Sequence, residues 1–355
     1  MSRLASPRLW CWLALGATLG CSGDYVPLGD RISAAQRPPP TSCDAEAPSS
    51  EQLALLASAR GFGAQVDGGA AGCITHVTTL DDTGPGTLRA ALESDAPTWI
   101  VFDLSGDIAL ESDLVASSNK TLDGRGQKVT LHKYGISLSG PVENVLIESL
   151  SFDGGNDPGS QNEGHDALAL SAGAQRIWID HCDLSRYGDG LVDLSHAATD
   201  VTVSWCHFHD HDKVMLFGAN NDDTEDAELR VTLHHNWFDH TLTYHPRLRF
   251  GKVHSYNNLF QAWSSFASGS SMAGELLSEA NFYDADASSH ATVTQIADDP
   301  EPGRLRSRAD VASGGAVIDE NEPGLVFEPS SYYAATVVEA DVELRRSLEN
   351  ETGPN

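Results

Sequence analysis

Basic residues are scarce in this chain: 22 Lys+Arg stand against 51 Asp+Glu in 355 residues, a formal net charge of −29. A surface this acidic repels phosphates, which argues against nucleic acid as a partner. It also means that an acidic ligand needs a local basic cluster or a bridging cation. Cysteine is sparse as well. Of six cysteines, Cys11 and Cys21 fall in a leader-like segment, and no Cys-x-x-Cys joins Cys43, Cys73, Cys182 and Cys206, which excludes a zinc knot. The apolar stretch Leu9–Gly20 covers 12 residues, too few to span a bilayer. Aromatic residues are 7%, and neither a heptad nor a membrane-bundle pattern is present. What remains is a soluble globular composition, 40% hydrophobic and 21% charged, whose 32 glycines suit a turn-rich β protein.

Arg3 and Arg8 precede the apolar stretch, and small residues lead from it to Cys21 and Ser22. A charged start, a short apolar centre and a small-residue exit are the layout of an export signal. Thr18-Leu19-Gly20-Cys21 resembles a bacterial lipoprotein signal, in which the cysteine takes a lipid anchor and becomes the mature N-terminus. Plain secretion is the alternative, because the leucine usually stands one position earlier. The expected location is exported, as an outer-membrane lipoprotein or a secreted protein. The predicted organisation is a lipoprotein-type signal at 1–21, a flexible Pro/Ser-rich tether at 22–56, a main domain at 57–290 and a C-terminal segment packing on it at 291–355. In an oxidising compartment the last four cysteines allow three pairings. Cys43 with Cys73 could pin the tether to the domain edge. Cys182 and Cys206 read as stacked buried thiols, since neighbouring strands give poor disulfide geometry.

Beyond residue 140 one pattern recurs: a β-branched alternation, a small polar residue or cysteine, then an aliphatic residue or Phe. It runs through Asn144–Phe152, Arg176–Leu184, Val201–Phe208, Arg230–Phe238, Lys252–Phe260 and Leu276–Phe282. Between the closing residues the steps are 32, 24, 30, 22 and 22. The short steps set a basic coil, and the long ones are coils with inserted loops. Period-2 alternation without a helical pattern makes each unit strands plus turns, and such a unit must stack on its neighbours to bury its apolar face. The predicted fold class is all-β, a right-handed parallel β-helix with Gly86–Leu92 as a short N-terminal capping helix. A β-sandwich, with turns every roughly 8–12 residues, is disfavoured by the longer steps. In the tail, Phe327 and Tyr332-Tyr333 are expected to dock on the solenoid.

Several motifs follow in order along the chain. They are Gly61-Phe-Gly-Ala64, Val77–Arg89, Ile100–Gly106, Asn119–Gly126, Trp178-Ile-Asp-His181, Asp189-Gly-Leu-Val-Asp193, Val201-Thr-Val-Ser204, Pro246–Gly251 and Asn257-Asn258. Together they resemble the pectate lyase superfamily, the family-one polysaccharide lyases, from about Gly61 to about Asp284. The resemblance implies a parallel β-helix and a lyase that cleaves acidic pectic polysaccharide, polygalacturonate or pectin, by β-elimination. That chemistry needs a cation to bridge substrate carboxylates, a base for the proton beside the carboxyl group, and positive groups for the enolate-like intermediate.

Asp189 and Asp193 flank Gly-Leu-Val, a spacing that puts both on one side of an extended strand, and Asp166 precedes them by about one coil. By resemblance these three are the calcium carboxylates, and Ca2+ suits such hard oxygen ligands. Lys213 matches the family's substrate-binding lysine and Arg249 its substrate-clamping arginine, while Arg247 alternates with Arg249 along the same stretch. A guanidinium fork pairs a uronate carboxylate in bidentate fashion. The family pattern Arg-x-Pro-Arg-x-Arg departs here to Tyr244-His245-Pro246-Arg247-Leu248-Arg249, so Tyr244 stands where the proton-abstracting arginine is expected. Three readings stay open. Tyr244 is the base, a phenol of reference pKa near ~10 being easier to ionise than a guanidinium; or His245 or Arg247 takes over; or the chain is a non-catalytic pectate-binding surface protein. A pectin lyase acting on methyl-esterified polymer would not need the aspartates. The expected partner is the polysaccharide alone, bound by a monomer.

His207, His209 and His211 have period-2 spacing, which a transition-metal site could use, but interleaved Asp210 and Asp212 favour hydrogen-bonded or exposed histidines. Asp180 and His181 read as a buried hydrogen-bonded pair within the coil. Asp123-Gly-Arg-Gly126 is no nucleotide loop, because no helix opening with Lys-Ser/Thr follows it.

Overall fold

The computed structural model describes residues 46–156, 164–286, 293–294 and 299–354. The leader, Cys21, Cys43 and most of the expected tether lie outside them. The period-2 segments form three parallel sheets of ten, seven and nine strands that wind as a right-handed β-helix. The first sheet begins at Cys73–Val77 and ends at Arg304–Arg308. The second runs from Leu114–Val115 to Gly269–Ser271, and the third from Gly106–Ala109 to Val311–Ser313. The strand ladders within each sheet join counterparts one coil before and after, in parallel, which removes the antiparallel sandwich alternative.

The alternation predicts which residues enter the core. In Thr199–Ser204 and its neighbours Ile177, Val201, Val231 and Val253 share one register column, and Ile179, Val203 and Leu233 share another; all are fully buried. In the third sheet Phe208, Phe238, Phe260 and Tyr283 stack with ring centroids 5.0, 4.8 and 4.7 Å apart. The last of these corrects the repeat as read from sequence. Phe282 pairs with Leu259, and Tyr283 is the residue stacked on Phe260. Adjacent aromatic residues made the two registers indistinguishable in the sequence alone.

From the strand Glu143–Glu148 onward, each coil turns between the first and third sheets at one left-handed residue: Ser149, His181, Trp205, His235, Asn257, Ala280 and Ala309, with φ from 48 to 57°. The next residue points inward, which gives the column Leu150, Cys182, Cys206, Asn236, Asn258, Asn281. Here the recurring cysteine or small polar position finds its reason. The side-chain oxygens of Asn236, Asn258 and Asn281 accept the backbone N–H of Cys206, Asn236 and Asn258 at 3.0, 2.9 and 2.8 Å. Cys182 and Cys206 are buried free thiols, as read from sequence. Asp180 and His181 are hydrogen-bonded at 2.9 Å. Cys73 is disulfide-bonded; its expected partner Cys43 lies outside the described residues.

Two boundaries move. The solenoid continues past residue 290, because Arg304–Arg308 and Val311–Ser313 pair with the preceding coil. Order also begins before residue 57: Ser50–Leu55 is a helix, and Leu56 is buried against Val66, Trp99 and Trp178. The predicted capping helix is present as Leu88–Leu92, with the Thr87 hydroxyl accepting the Ala90 N–H and Leu88, Ala91 and Leu92 closing the first coil. Phe327 and Tyr333 pack on Phe62 and Leu277 as expected. The helix Val342–Glu351 lays Leu344 and Leu348 on Leu259 and Phe282.

The asparagine column yields a stability test. Asn258 is fully buried, and its amide reaches the Leu233 and Tyr256 carbonyls while its oxygen serves Asn236. Asn258→Ala strands several buried donors and acceptors, so urea unfolding is expected to show a loss of about 2–4 kcal/mol. An unchanged midpoint would mean that the column contributes nothing beyond the apolar core.

Candidate active site

The candidate residues fall on the second sheet and on the turns that lead into its strands. Asp193 lies within Val192–Leu194 and Arg247 within Arg247–Arg249. Leu194, Phe217 and Leu248 share a column, so Asp193, Leu216 and Arg247 occupy the adjoining one. Asp193 and Arg247 are thus two coils apart, about 10 Å at the usual strand spacing. Asp166 precedes the strand Leu168–Ser171. Lys213 bridges to Thr243, which brings Tyr244 beside the lysine's coil.

Asp166 Oδ1 accepts the Gly190 N–H at 2.7 Å, and Asp193 Oδ1 accepts the Leu216 N–H at 3.0 Å. A Cβ at Gly190 would stand 2.3 Å from Asp193 Oδ1 and would displace that carboxylate. Asp189 is exposed and pairs with Lys213 Nζ at 2.8 Å, while its backbone carbonyl accepts from His211 Nε2 at 2.6 Å. The carboxylates feel one another. Burial and the charges of Asp166 and Asp189 push Asp193 well above the ordinary carboxylate range, and burial with the charges of Asp189 and Asp113 raises Asp166. The Asp189 carboxylate holds the Lys213 ammonium firmly protonated. Asp166, Asp189 and Asp193 are not drawn within 4.8 Å of one another, as trios elsewhere in the chain are.

Tyr244 adopts φ 66° and accepts a hydrogen bond from Arg247 Nη1 at 2.7 Å. Arg247 Nη2 and Arg249 Nη2 both reach the Asp299 carboxylate, at 3.1 and 3.2 Å. Arg249 also donates to Asn221 Oδ1 and to the Gly218 and Ala219 carbonyls. Its side chain is 11% exposed and that of Arg247 14%, against 50% for Lys213. Of the three predicted cations, Lys213 is therefore the open one. Asp299, itself buried and bonded to the Ser271 hydroxyl, was not found from sequence. It lies 50 residues beyond Arg249 in a tail whose many acids gave no means of choosing one.

His245 needs correction. It is fully buried, bonded to the Thr241 hydroxyl at 2.7 Å, and burial pulls its imidazole down to about 3. A side chain sealed in the core can neither touch a polymer nor take its proton, so His245 leaves the list of substrate-binding residues and of alternative bases.

The residues present fit a hard cation: three carboxylates, two of them pushed toward protonation by burial and by neighbouring carboxylate charge, offer oxygen donors from adjacent coils. This gives a pH test in metal-free buffer. A folded-state pKa above the unfolded value costs stability as pH rises through the interval between them and costs nothing below it. Asp193→Asn keeps an acceptor for Leu216 and removes the charge. It is expected to raise the melting temperature at pH 8 by roughly 1–3 °C, an advantage that vanishes toward pH 4. A lower melting temperature at pH 8 would show that the carboxylate is not under repulsion.

Comparison with known proteins follows the same outline. A family model described as pectate lyase matches residues 45–316. Pectate lyase 4 of Ambrosia artemisiifolia is 36% identical over 305 residues, covering 78% of this chain and 76% of its own. The crystal structure of the major allergen from cedar pollen superposes with a TM-score of 0.76 at 28% identity, covering 87% of this chain and 96% of that one. A pectate lyase from a Bacillus species, solved in complex with trigalacturonate, superposes at 0.64 with 22% identity over 84% of this chain and 99% of that one.

Proposed function

The chain belongs to the pectate lyase family of polysaccharide lyases, and from that premise we propose that it cleaves polygalacturonate by calcium-dependent β-elimination along the second sheet. The observation that carries the reading is the meeting of opposite charges there. Asp166, Asp189 and Asp193 face Lys213, Tyr244 and Arg247 across neighbouring coils of an otherwise acidic molecule.

In this reading Asp166, Asp189 and Asp193 would hold calcium, whose charge would acidify the proton beside the uronate carboxyl group. Lys213, exposed and fixed by Asp189, is the first cation that the polymer meets. Arg247 and Arg249 form the wall behind it, sharing the single charge of Asp299, so that net positive charge remains for the substrate. Tyr244 occupies the base position. Its oxygen accepts from Arg247, whose guanidinium together with Lys213 would neutralise a phenolate formed during turnover. Proton abstraction beside the carboxyl group and departure of the neighbouring glycosidic oxygen leave an unsaturated uronide. The leader reading adds export, with Cys21 as lipid anchor or the chain secreted.

A second reading, a protein that retains pectate without cleaving it, has one observation in its favour: Asp299 already engages both arginines of the wall, through Arg247 Nη2 and through Arg249 Nε and Nη2. A continuous ultraviolet assay for unsaturated uronide separates the two. The parent is expected to form product on polygalacturonate with calcium and none with chelator. Tyr244→Phe is expected to lose about 100-fold or more in kcat. Product surviving Tyr244→Phe would move the base to Arg247. No product from the parent, with activity gained in Tyr244→Arg, would establish the binding protein.

A further inference from the structure

We propose that Asp183, His207 and His209 form a second cation site, for a transition metal of the zinc class, on the third sheet. His207 and His209 flank the buried Phe208, so both imidazoles leave the core on the same outer face. Asp183, one coil earlier, is the register partner of His207. Its carboxylate spans the two rings: Oδ2 is 3.0 Å from His207 Nδ1 and Oδ1 is 3.2 Å from His209 Nε2. One ligand atom from each residue lies within 4.8 Å of the other two. Ligands about 2.0–2.1 Å from a tetrahedral ion are separated by roughly 3.3 Å, so small side-chain movements bring this set onto one metal. The side chains are 20–28% exposed, which leaves an ion a way in and a place for water as a further ligand.

A second observation points the same way. The ring nitrogens turned away from Asp183 are themselves held by carboxylates: His207 Nε2 by Asp239 at 3.4 Å and His209 Nδ1 by Asp210 at 2.8 Å. Metal-binding imidazoles use such an outer layer, in which the carboxylate fixes the ring and strengthens the opposite nitrogen as a donor. Trp237, in register with His207 on the next coil, stacks on its ring at 4.5 Å and fixes it from the side. The remaining histidine of the alternation, His211, turns inward to the Asp189 carbonyl and takes no part. The other close trios, Glu148–Asp180–His181 and His196–Asp223–Glu225, have one imidazole each. Two nitrogen donors favour zinc-class ions over calcium, so this site and the groove select different metals.

The test uses the full chain without a histidine tag, stripped with chelator and titrated with zinc by calorimetry in excess calcium. One equivalent is expected in the parent. His209→Gln and Asp183→Asn are expected to weaken uptake at least about tenfold, as is Asp239→Asn, which keeps all three ligands and loses only the outer carboxylate. His196→Ala is expected to change nothing. Cobalt(II) in place of zinc should give visible absorption bands that the double variant His207→Ala/His209→Ala lacks. No stoichiometric zinc uptake by the parent overturns the proposal. So does uptake retained in a cooperatively melting double variant or, if that variant does not fold, in His209→Gln.

Discussion

One corner per coil sets the geometry of this molecule. From Glu143–Glu148 onward each passage from the first to the third sheet is made by a single left-handed residue, none of the seven a glycine, at roughly 1–2 kcal/mol apiece. The strain is tolerated because the following residue points inward and ties the coils together, through asparagine oxygens on neighbouring N–H groups or through stacked thiols and aliphatic chains. With that column fixed, strand pairing in all three sheets has one register, and one residue of slip would turn every core side chain outward. The second sheet inherits this alignment. Asp193 and Arg247 share a column because the corners on the far side of the coil hold each turn in step.

The same rigid lattice brings charges together that would not choose to meet. Asp166 and Asp193 each accept a backbone N–H from the next coil and so cannot swing away from one another or from Asp189. Burial and neighbouring carboxylate charge push both carboxyl groups toward protonation, in a protein whose formal charge is already −29. Asp299 acts in the opposite sense on the basic wall. It offsets part of the charge of Arg247 and Arg249 and holds the Arg247 guanidinium against the Tyr244 oxygen. The proposed chemistry depends on that balance: an arginine pair left without Asp299 would bind anions more strongly and position Tyr244 less well.

Much of this was legible in the sequence. Alternation and the recurring closing residue gave the β-helix, and the ordered motifs gave the family that the comparison with known proteins supports. The carboxylate and cation positions could be named because short motifs carry them. What escaped was whatever depends on contacts between distant segments. Phe282 and Tyr283 differ by one position in identical chemistry, and only stacking on Phe260 decides between them. His245 sits in the most informative motif of the chain, yet nothing local says that its side chain turns into the core toward Thr241. Asp299 reaches the arginines by way of the last coils and has no motif of its own. His207 and His209 have a spacing that a transition-metal site could use but read as hydrogen-bonded or exposed histidines, since nothing local joins them to Asp183, 24 residues before His207.

The most direct test of the groove as a calcium-bridged uronate site is a crystal structure of the full chain grown with calcium and trigalacturonate. The expected result is calcium bound by Asp166, Asp189 and Asp193, with a uronate carboxylate beside it and the sugar ring between Lys213 and the Tyr244 oxygen. A trisaccharide seated on another face, or calcium bound elsewhere while the three aspartates hold none, would contradict it.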